Sequence, residues 1–401
     1  MRAPSPRRLT LLLGALSAIG PLSIDMYLPS FPSVARALGT SVAAVQLTLA
    51  TYLAGLAMGQ LAYGPLSDRF GRRAPLLAGL ALYAAAGLAC AAAPSLAFLA
   101  AARFVQALGG CAGLVIARAV VRDRFDVRDS ARLYASLMLV MGAAPILAPL
   151  LGGQLLLLGG WRAIFGVLAA AGLALAAMVA LGLPETLPRE RRQRHGPGEI
   201  VRALGEALSH GPFVRLSLAG GAVQAAMFAY IAGSPFVLIE LFGIPPARFG
   251  LVFGANAFGI IAASQLSRFL AARRGVMPPL RAGVAAAVVG YGALFAAVHA
   301  GGGLWLVLPG LFLGVASYGL VAPSATAAAM EHFEARAGSA SAVLGVLQST
   351  AGALAATAVS GLADGTARPL AGVTLACALL AAALLWAEGV SASRRRAGTP
   401  G

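Results

Sequence analysis

The 401-residue chain has no lysine, only 14 acidic residues and four histidines, and charged side chains make up 11% of it. A water-facing surface usually draws on about 25% charged residues, so a soluble globular fold is excluded. Cysteine is equally scarce. Cys90, Cys111 and Cys377 stand singly in apolar stretches with no metal or redox spacing, which excludes a disulfide scaffold and reads as three small hydrophobes. His195, His210, His299 and His332 do not cluster. No glycine-rich phosphate loop is present, so any use of ATP would need a partner subunit. An intramembrane enzyme would need a carboxylate pair, a Ser/Lys dyad or a His cluster at membrane depth, and the sequence offers none.

What the chain has in excess is apolar length. Hydrophobic residues make up 59% and the mean hydropathy is +0.83. A helix needs about 20 apolar residues to cross a ~30 Å hydrocarbon core. That window predicts twelve spans, at 9–29, 44–66, 75–93, 97–117, 133–157, 161–182, 214–238, 249–271, 282–299, 304–324, 338–361 and 370–390. The first follows Arg2, Arg7 and Arg8 but offers only a poor cleavage site at Ala15-Leu16-Ser17-Ala18, so an uncleaved span is expected.

All 30 basic residues are arginine, and the net charge is +16. With the N-terminus placed inside, 25 arginines fall at inner loops or span ends, four outside (Arg36, Arg162, Arg248, Arg368), and Arg103 lies within a span. That is the positive-inside distribution for an even number of spans with both termini cytoplasmic. The charge fixes orientation, and nucleic acid is not expected as a partner. The longest hydrophilic stretch is central. It divides the chain into a six-helix half over 1–183, a cytoplasmic linker over 184–212 and a second six-helix half over 213–401 with a short cytoplasmic tail. Leu66-Ser67 before Arg72-Arg73 recurs as Leu266-Ser267 before Arg273-Arg274, a trace of internal repetition.

An ionisable side chain at bilayer depth costs a few kcal/mol or more and normally faces a cavity or a partner. Asp25 lies roughly 24 Å from the inner end of span 1 and Arg103 roughly 21 Å above the inner face, one depth for both. One reading is a proton-titratable carboxylate answering to the nearby arginine and to substrate. The other places Asp25 at a solvated outer lip, because Pro29 and Pro32 follow it closely. Gln106, Gln224 and Asn256 are weaker polar candidates that either line a cavity, as Tyr27 would, or bond a neighbouring helix. Glu240 and Glu388 sit at span edges and are expected to be solvated.

Span 5 carries Gly142, Pro145, Pro149, Gly152 and Gly153, which should kink it and admit close helix approach. After span 2, Gly64-Pro65-Leu66-Ser67-Asp68-Arg69-Phe70-Gly71-Arg72-Arg73 forms the densest charge pattern beside a span, with glycines that permit a tight reversal. A topological anchor explains its arginines but has no need of Asp68.

Gly64 followed by Asp68-Arg69-Phe70-Gly71-Arg72-Arg73 resembles the signature loop between spans 2 and 3 of the major facilitator superfamily. Pro21-Leu22-Ser23-Ile24-Asp25-Met26-Tyr27-Leu28-Pro29, Ala148-Pro149-Leu150-Leu151-Gly152-Gly153, Ser234-Pro235-Phe236 and Ala337-Gly338-Ser339-Ala340-Ser341-Ala342 resemble its Bcr/CflA drug-resistance branch of drug:H⁺ antiporters. The resemblance implies an all-α integral membrane fold and proton-driven export of small, mostly apolar antibiotics of chloramphenicol, bicyclomycin or sulfonamide type. It implies no cofactor beyond the proton gradient, a bacterial inner-membrane location and a monomer. By position, Asp25 matches the acid used for proton and substrate coupling, and Arg103 and Gln106 match the span-4 motif, with Ala107 where a glycine is usual. Gly142, Pro145, Gly152 and Gly153 match the span-5 antiporter motif, with Ala144 where a glycine often stands. Gly64, Asp68, Arg69, Gly71, Arg72 and Arg73 would form the inner gate, with Asp68 facing the start of span 11 near Gly338-Ser339. The second-half loop lacks counterparts of Asp68 and Gly71. The alternative is a proton-coupled importer or metabolite exporter on the same scaffold.

Overall fold

In hydrocarbon the backbone has no water to bond, so each N–H and C=O must be satisfied within its own helix. A computed structural model, describing residues 6–124, 127–192, 205–206, 208–331 and 337–397, meets that condition with helices and, among those residues, no strand. The elements are α1 (Pro6–Asp25), α2 (Phe31–Ala37), α3 (Val42–Phe70), α4 (Arg73–Ala91), α5 (Leu96–Arg124), α6 (Val127–Gly182), α7 (Gly211–Pro235), α8 (Pro246–Arg274), α9 (Met277–His299), α10 (Leu304–Met330), α11 (Ala337–Gly361) and α12 (Arg368–Ala397). Polar caps start several of them. Ser41 Oγ accepts from the Ala44 N–H at 3.1 Å, and His210 Nδ1 from the Phe213 N–H at 3.3 Å.

Among the described residues, eleven helical stretches are long and apolar enough to cross a membrane. The longest, Ala143–Gly182, has 40 residues. That is ~60 Å of helix, twice the hydrocarbon core. It leaves helical geometry at Gly160, where φ is 69° and ψ −176°. This stretch therefore makes two crossings, and the described residues make twelve. The backbone stays helical through Pro145 and Pro149, so the break expected from the prolines lies eleven residues beyond the second of them.

The side chains sort as a bilayer solvent dictates. Leu158, Leu181 and Trp305 are more than 80% exposed, which only lipid makes tolerable. Helices meet through small residues, since apolar burial gives little drive within lipid. On α3, a Cβ added to Gly55 would strike the Phe104 carbonyl and the Ala107 methyl on α5. The close approach that a glycine at position 107 would allow is thus supplied by the glycine opposite. In the same way Gly290 on α9 abuts the backbone of Gly314 on α10.

Contacts group the chain into two units, Met1–Gly196 with Leu238–Gly254, and Pro197–Val237 with Ala255–Gly401. One edge residue departs from expectation. Glu388 is buried, and its Oε2 accepts from Arg215 Nε at 2.7 Å, tying α12 to the start of α7. Glu240 is exposed as expected.

Candidate functional site

The first span is interrupted where its acid sits. Pro29 and Pro32 lack the N–H that would continue the helical ladder, and α1 ends at Asp25. The chain turns through Met26 and Tyr27, makes one 3-10 turn over Leu28–Ser30 and resumes as α2. Ser30 donates to the Tyr27 carbonyl twice, through Oγ at 2.6 Å and its backbone N–H at 3.0 Å, which closes the turn. The span expected to stop at residue 29 instead continues to Ala37. The break is enclosed, with Tyr27, Leu28 and Phe31 at 0% exposure and Asp25 at 4%. A solvated outer lip is therefore not where Asp25 lies. Among the described residues, no hydrogen bond or ion pair engages its carboxylate.

Arg103 is not its partner. Shared depth suggested the pair, but the guanidinium lies among aromatic rings, 4.0 Å from the Tyr52 centroid, 5.1 Å from Tyr27 and 5.7 Å from Phe165. Its Nη1 donates to Gln106 Oε1 at 2.8 Å, one turn along α5. Nε, Nη2, Gln106 Nε2 and the Tyr52 hydroxyl are buried without a protein partner. Ring faces give a buried cation about 0.5–2 kcal/mol each in favourable cases, less than a carboxylate would. Arg103 is thus a fixed charge held in place without being neutralised. Tyr27 belongs to this cage, its hydroxyl 3.1 Å from Thr48 Oγ1, and lines no open space.

Span 5 supports the break. A Cβ on Gly152 would run into the Met26 carbonyl, the residue after Asp25, and one on Gly153 would come within 3.0 Å of the Pro246 carbonyl. Gly142 lies outside the residues whose surroundings are described.

The turn after α3 is built around one arginine. α3 stays helical through Gly64 and Pro65 to Phe70, so the reversal falls on Gly71 alone, at φ +87°. Any Cβ there would strike the Glu185 carboxylate. Arg72 donates through Nη1 to Asp68 Oδ1 at 2.6 Å and Ser67 Oγ at 2.9 Å. Through Nε and Nη2 it reaches both oxygens of Asp123, at 2.8 and 3.3 Å. Burial works against its charge, but the bonds to Asp123 and Asp68 more than offset this and hold its pKa above the ordinary arginine value. Glu185 Oε1 accepts from the backbone N–H groups of Arg72, Thr186 and Leu187 at 2.8–3.0 Å, and Oε2 from that of Arg73 at 3.3 Å. Thr186 Oγ1 completes the network by donating to Asp123 at 3.1 Å. Arg73 donates to the Ala180 carbonyl, and Arg69 stacks on Phe70. The expected partner of Asp68, near Gly338-Ser339, lies outside the described side chains. In the second-half loop a glycine does take the left-handed turn: Gly275, at φ +77°, directly after Arg273-Arg274.

In the second unit, Asn256 Nδ2 donates to the Tyr230 hydroxyl at 2.9 Å, both buried, which is the helix-bonding role. The Tyr318 hydroxyl donates to Gln224 Oε1 at 2.9 Å.

A buried acid at a broken helix, an arginine cage and a charge-locked turn suit transport better than catalysis. The family model of the Major Facilitator Superfamily matches residues 13–356. The chain belongs to that superfamily. The transporter is 39% identical over 93% of both chains to the uncharacterized MFS-type transporter YdgK of Bacillus subtilis (strain 168). It is 30% identical over 92% of its length, and 93% of the relative's, to a bicyclomycin resistance protein homolog of Haemophilus influenzae. A chloramphenicol resistance protein of Pseudomonas aeruginosa is 32% identical, over 70% of this chain and 66% of that one. Among solved structures, a D-xylose-proton symporter superposes with TM-score 0.76 at 14% identity over 95% and 97% of the two chains, a likeness of fold. The transporter is therefore a multi-pass membrane protein for small molecules.

Three members of the network escaped the sequence reading: Asp123, Glu185 and Thr186. The signal was available, because the logic that singled out Asp68 applies to any acid among arginines that serve only as anchors. In this transporter Asp68→Ala leaves Arg72 with Asp123 and Ser67. We expect normal abundance and turnover slowed roughly three- to tenfold, in keeping with one part-exposed ion pair worth about 1 kcal/mol. Transport assays at matched protein levels check this, and wild-type rates would reduce the loop to a topological anchor.

Proposed function

We propose that the transporter exports small, mostly apolar antibiotics across the bacterial inner membrane in exchange for protons, by alternating access and with both termini cytoplasmic. The observation that carries this reading is Asp25, an acid enclosed at a helix break with no fixed counter-charge. A carboxylate so placed is costly when ionised and stable when protonated, so its proton state can set which conformation is favoured. Facing outward, Asp25 takes a proton. Facing inward, it releases the proton and drug binds, and coupling follows if the protonated and drug-bound forms exclude each other. One proton moving inward gains about 2.3 kcal/mol per 100 mV, enough for roughly a fifty-fold gradient of an uncharged drug. Arg103, unneutralised nearby in the same unit, supplies a fixed positive field. The Arg72 network would brace the inner gate. Relatives named for bicyclomycin, chloramphenicol and multidrug resistance support the substrate class.

The test is transport in inside-out vesicles with an acidified lumen. We expect chloramphenicol to accumulate in the lumen and to leak out when a protonophore collapses the gradient. Accumulation indifferent to the gradient, or opposite in direction, overturns the reading.

A further inference from the structure

The second unit offers a polar site unlike its buried pairs. Gln224 on α7, Tyr318 on α10 and Gln348 on α11 are each half-buried, whereas Asn256 and Tyr230 are sealed. The Tyr318 hydroxyl donates to Gln224 Oε1, and a Cβ added to Gly221, one turn before Gln224, would come into ordinary contact with the Cα and Cγ of Gln348 at 3.9 Å, so Gln348 lies beside this face of α7. Counted at ~1.5 Å per residue from the helix ends at Gly211, Met330 and Ala337, the three lie about 20, 18 and 17 Å along, one mid-membrane level. Two amides and a phenol at that depth are too costly to present to lipid, so their exposed parts face a water-reachable space. Among the described residues, the Gln224 amide N–H groups and the Gln348 amide have no protein partner.

The surroundings define what such a site accepts. α10 and α11 contain no Asp, Glu, Arg or His, and α7 contains only Arg215, which pairs with Glu388. A cationic drug would find no acid here, and an anionic one no free cation, so an ionised group would be desolvated without compensation. A neutral amide, hydroxyl or carbonyl finds donors and acceptors in reach.

We propose that Gln224, Tyr318 and Gln348 form the polar recognition site for the exported drug, reading an uncharged hydrogen-bonding group on an otherwise apolar molecule. The inference rests on the export reading above and assigns specificity to this cluster. Tyr318 orients the Gln224 amide so that its N–H groups point outward to substrate. The Gln348 amide contributes a second donor and acceptor from the neighbouring helix.

The experiment uses the full-length protein reconstituted in liposomes, with chloramphenicol as neutral probe and tetraphenylphosphonium as cationic probe. Wild type should transport the first and not the second. Tyr318→Phe, Gln224→Leu and Gln348→Leu should each raise the chloramphenicol KM about two- to tenfold, the effect of one neutral hydrogen bond. We expect kcat within twofold and an unchanged pH profile. Tyr318→Phe combined with Gln224→Leu should cost little more than the worse single variant, since the two act through one bond. A merely structural role predicts lower thermal stability with KM unmoved. That outcome, or equal wild-type transport of both probes, overturns the site while leaving export intact. Wild-type transport of neither probe overturns the export reading and the site together.

Discussion

Asp25→Asn should abolish pH-gradient-driven efflux without affecting membrane insertion. Asparagine matches aspartate in shape, so the enclosed break after α1 can keep its packing, and burying a neutral amide costs less than burying a carboxylate. Stability should hold or rise slightly. What disappears is the ability to exchange a proton, and with it the roughly fifty-fold drug gradient that one proton per 100 mV can sustain. In an efflux-deficient host, drug susceptibility should return to that of the empty vector at matched abundance. Asp25→Glu keeps the titratable group on a longer stem and should retain partial efflux with a displaced pH profile. Gradient-driven efflux persisting in Asp25→Asn would remove Asp25 from the coupling step.

Gly152→Ala should be nearly as damaging, although it adds one methyl group and no charge. That methyl would run into the Met26 carbonyl, and backbone cannot yield as a flexible side chain does. Forcing atoms into a packed interior typically costs about 1–3 kcal/mol, and here the strain falls on the residue next to Asp25. We expect drug export reduced at least tenfold, with the protein still inserted. The informative readout is the pH dependence of the residual activity. A displaced optimum identifies Gly152 as positioning the acid, whereas a lower rate with the same optimum would reduce it to helix packing. Gly153 meets a different backbone, that of Pro246, and should not displace the optimum when changed to alanine.

Most of the architecture was legible because it follows from one-dimensional quantities. Apolar run length gave the spans. Glycine and arginine spacing carried the family resemblance. The interruption at 158–160 coincides with the turn at Gly160, even though no loop separates the helices there. Direction around a helix axis was less legible. The rise per residue put Asp25 and Arg103 at one depth, but Arg103 lies against Tyr52 and Tyr27 instead. The prolines after Asp25 announced an end to α1, while nothing local announced that the chain would resume inside the same span. The partners of Arg72 were hidden for another reason. Asp123 and Glu185 lie 51 and 113 residues away, the first on α5 and the second just past the end of α6, and only the fold brings them to the turn. Glu388 was misjudged likewise, because its arginine is 173 residues distant.

The grip of Glu185 on the α3–α4 turn also decides where the leash between the two halves begins. By composition the connecting segment starts at Pro184, directly after the sixth span. Mechanically it starts later, because one carboxylate pegs Thr186 and Leu187 to the backbone of Arg72 and Arg73. Arg192 returns to the same carboxylate at 3.9 Å. Chain added or cut before Leu187 pulls out the peg and loosens the turn that Arg72 organises.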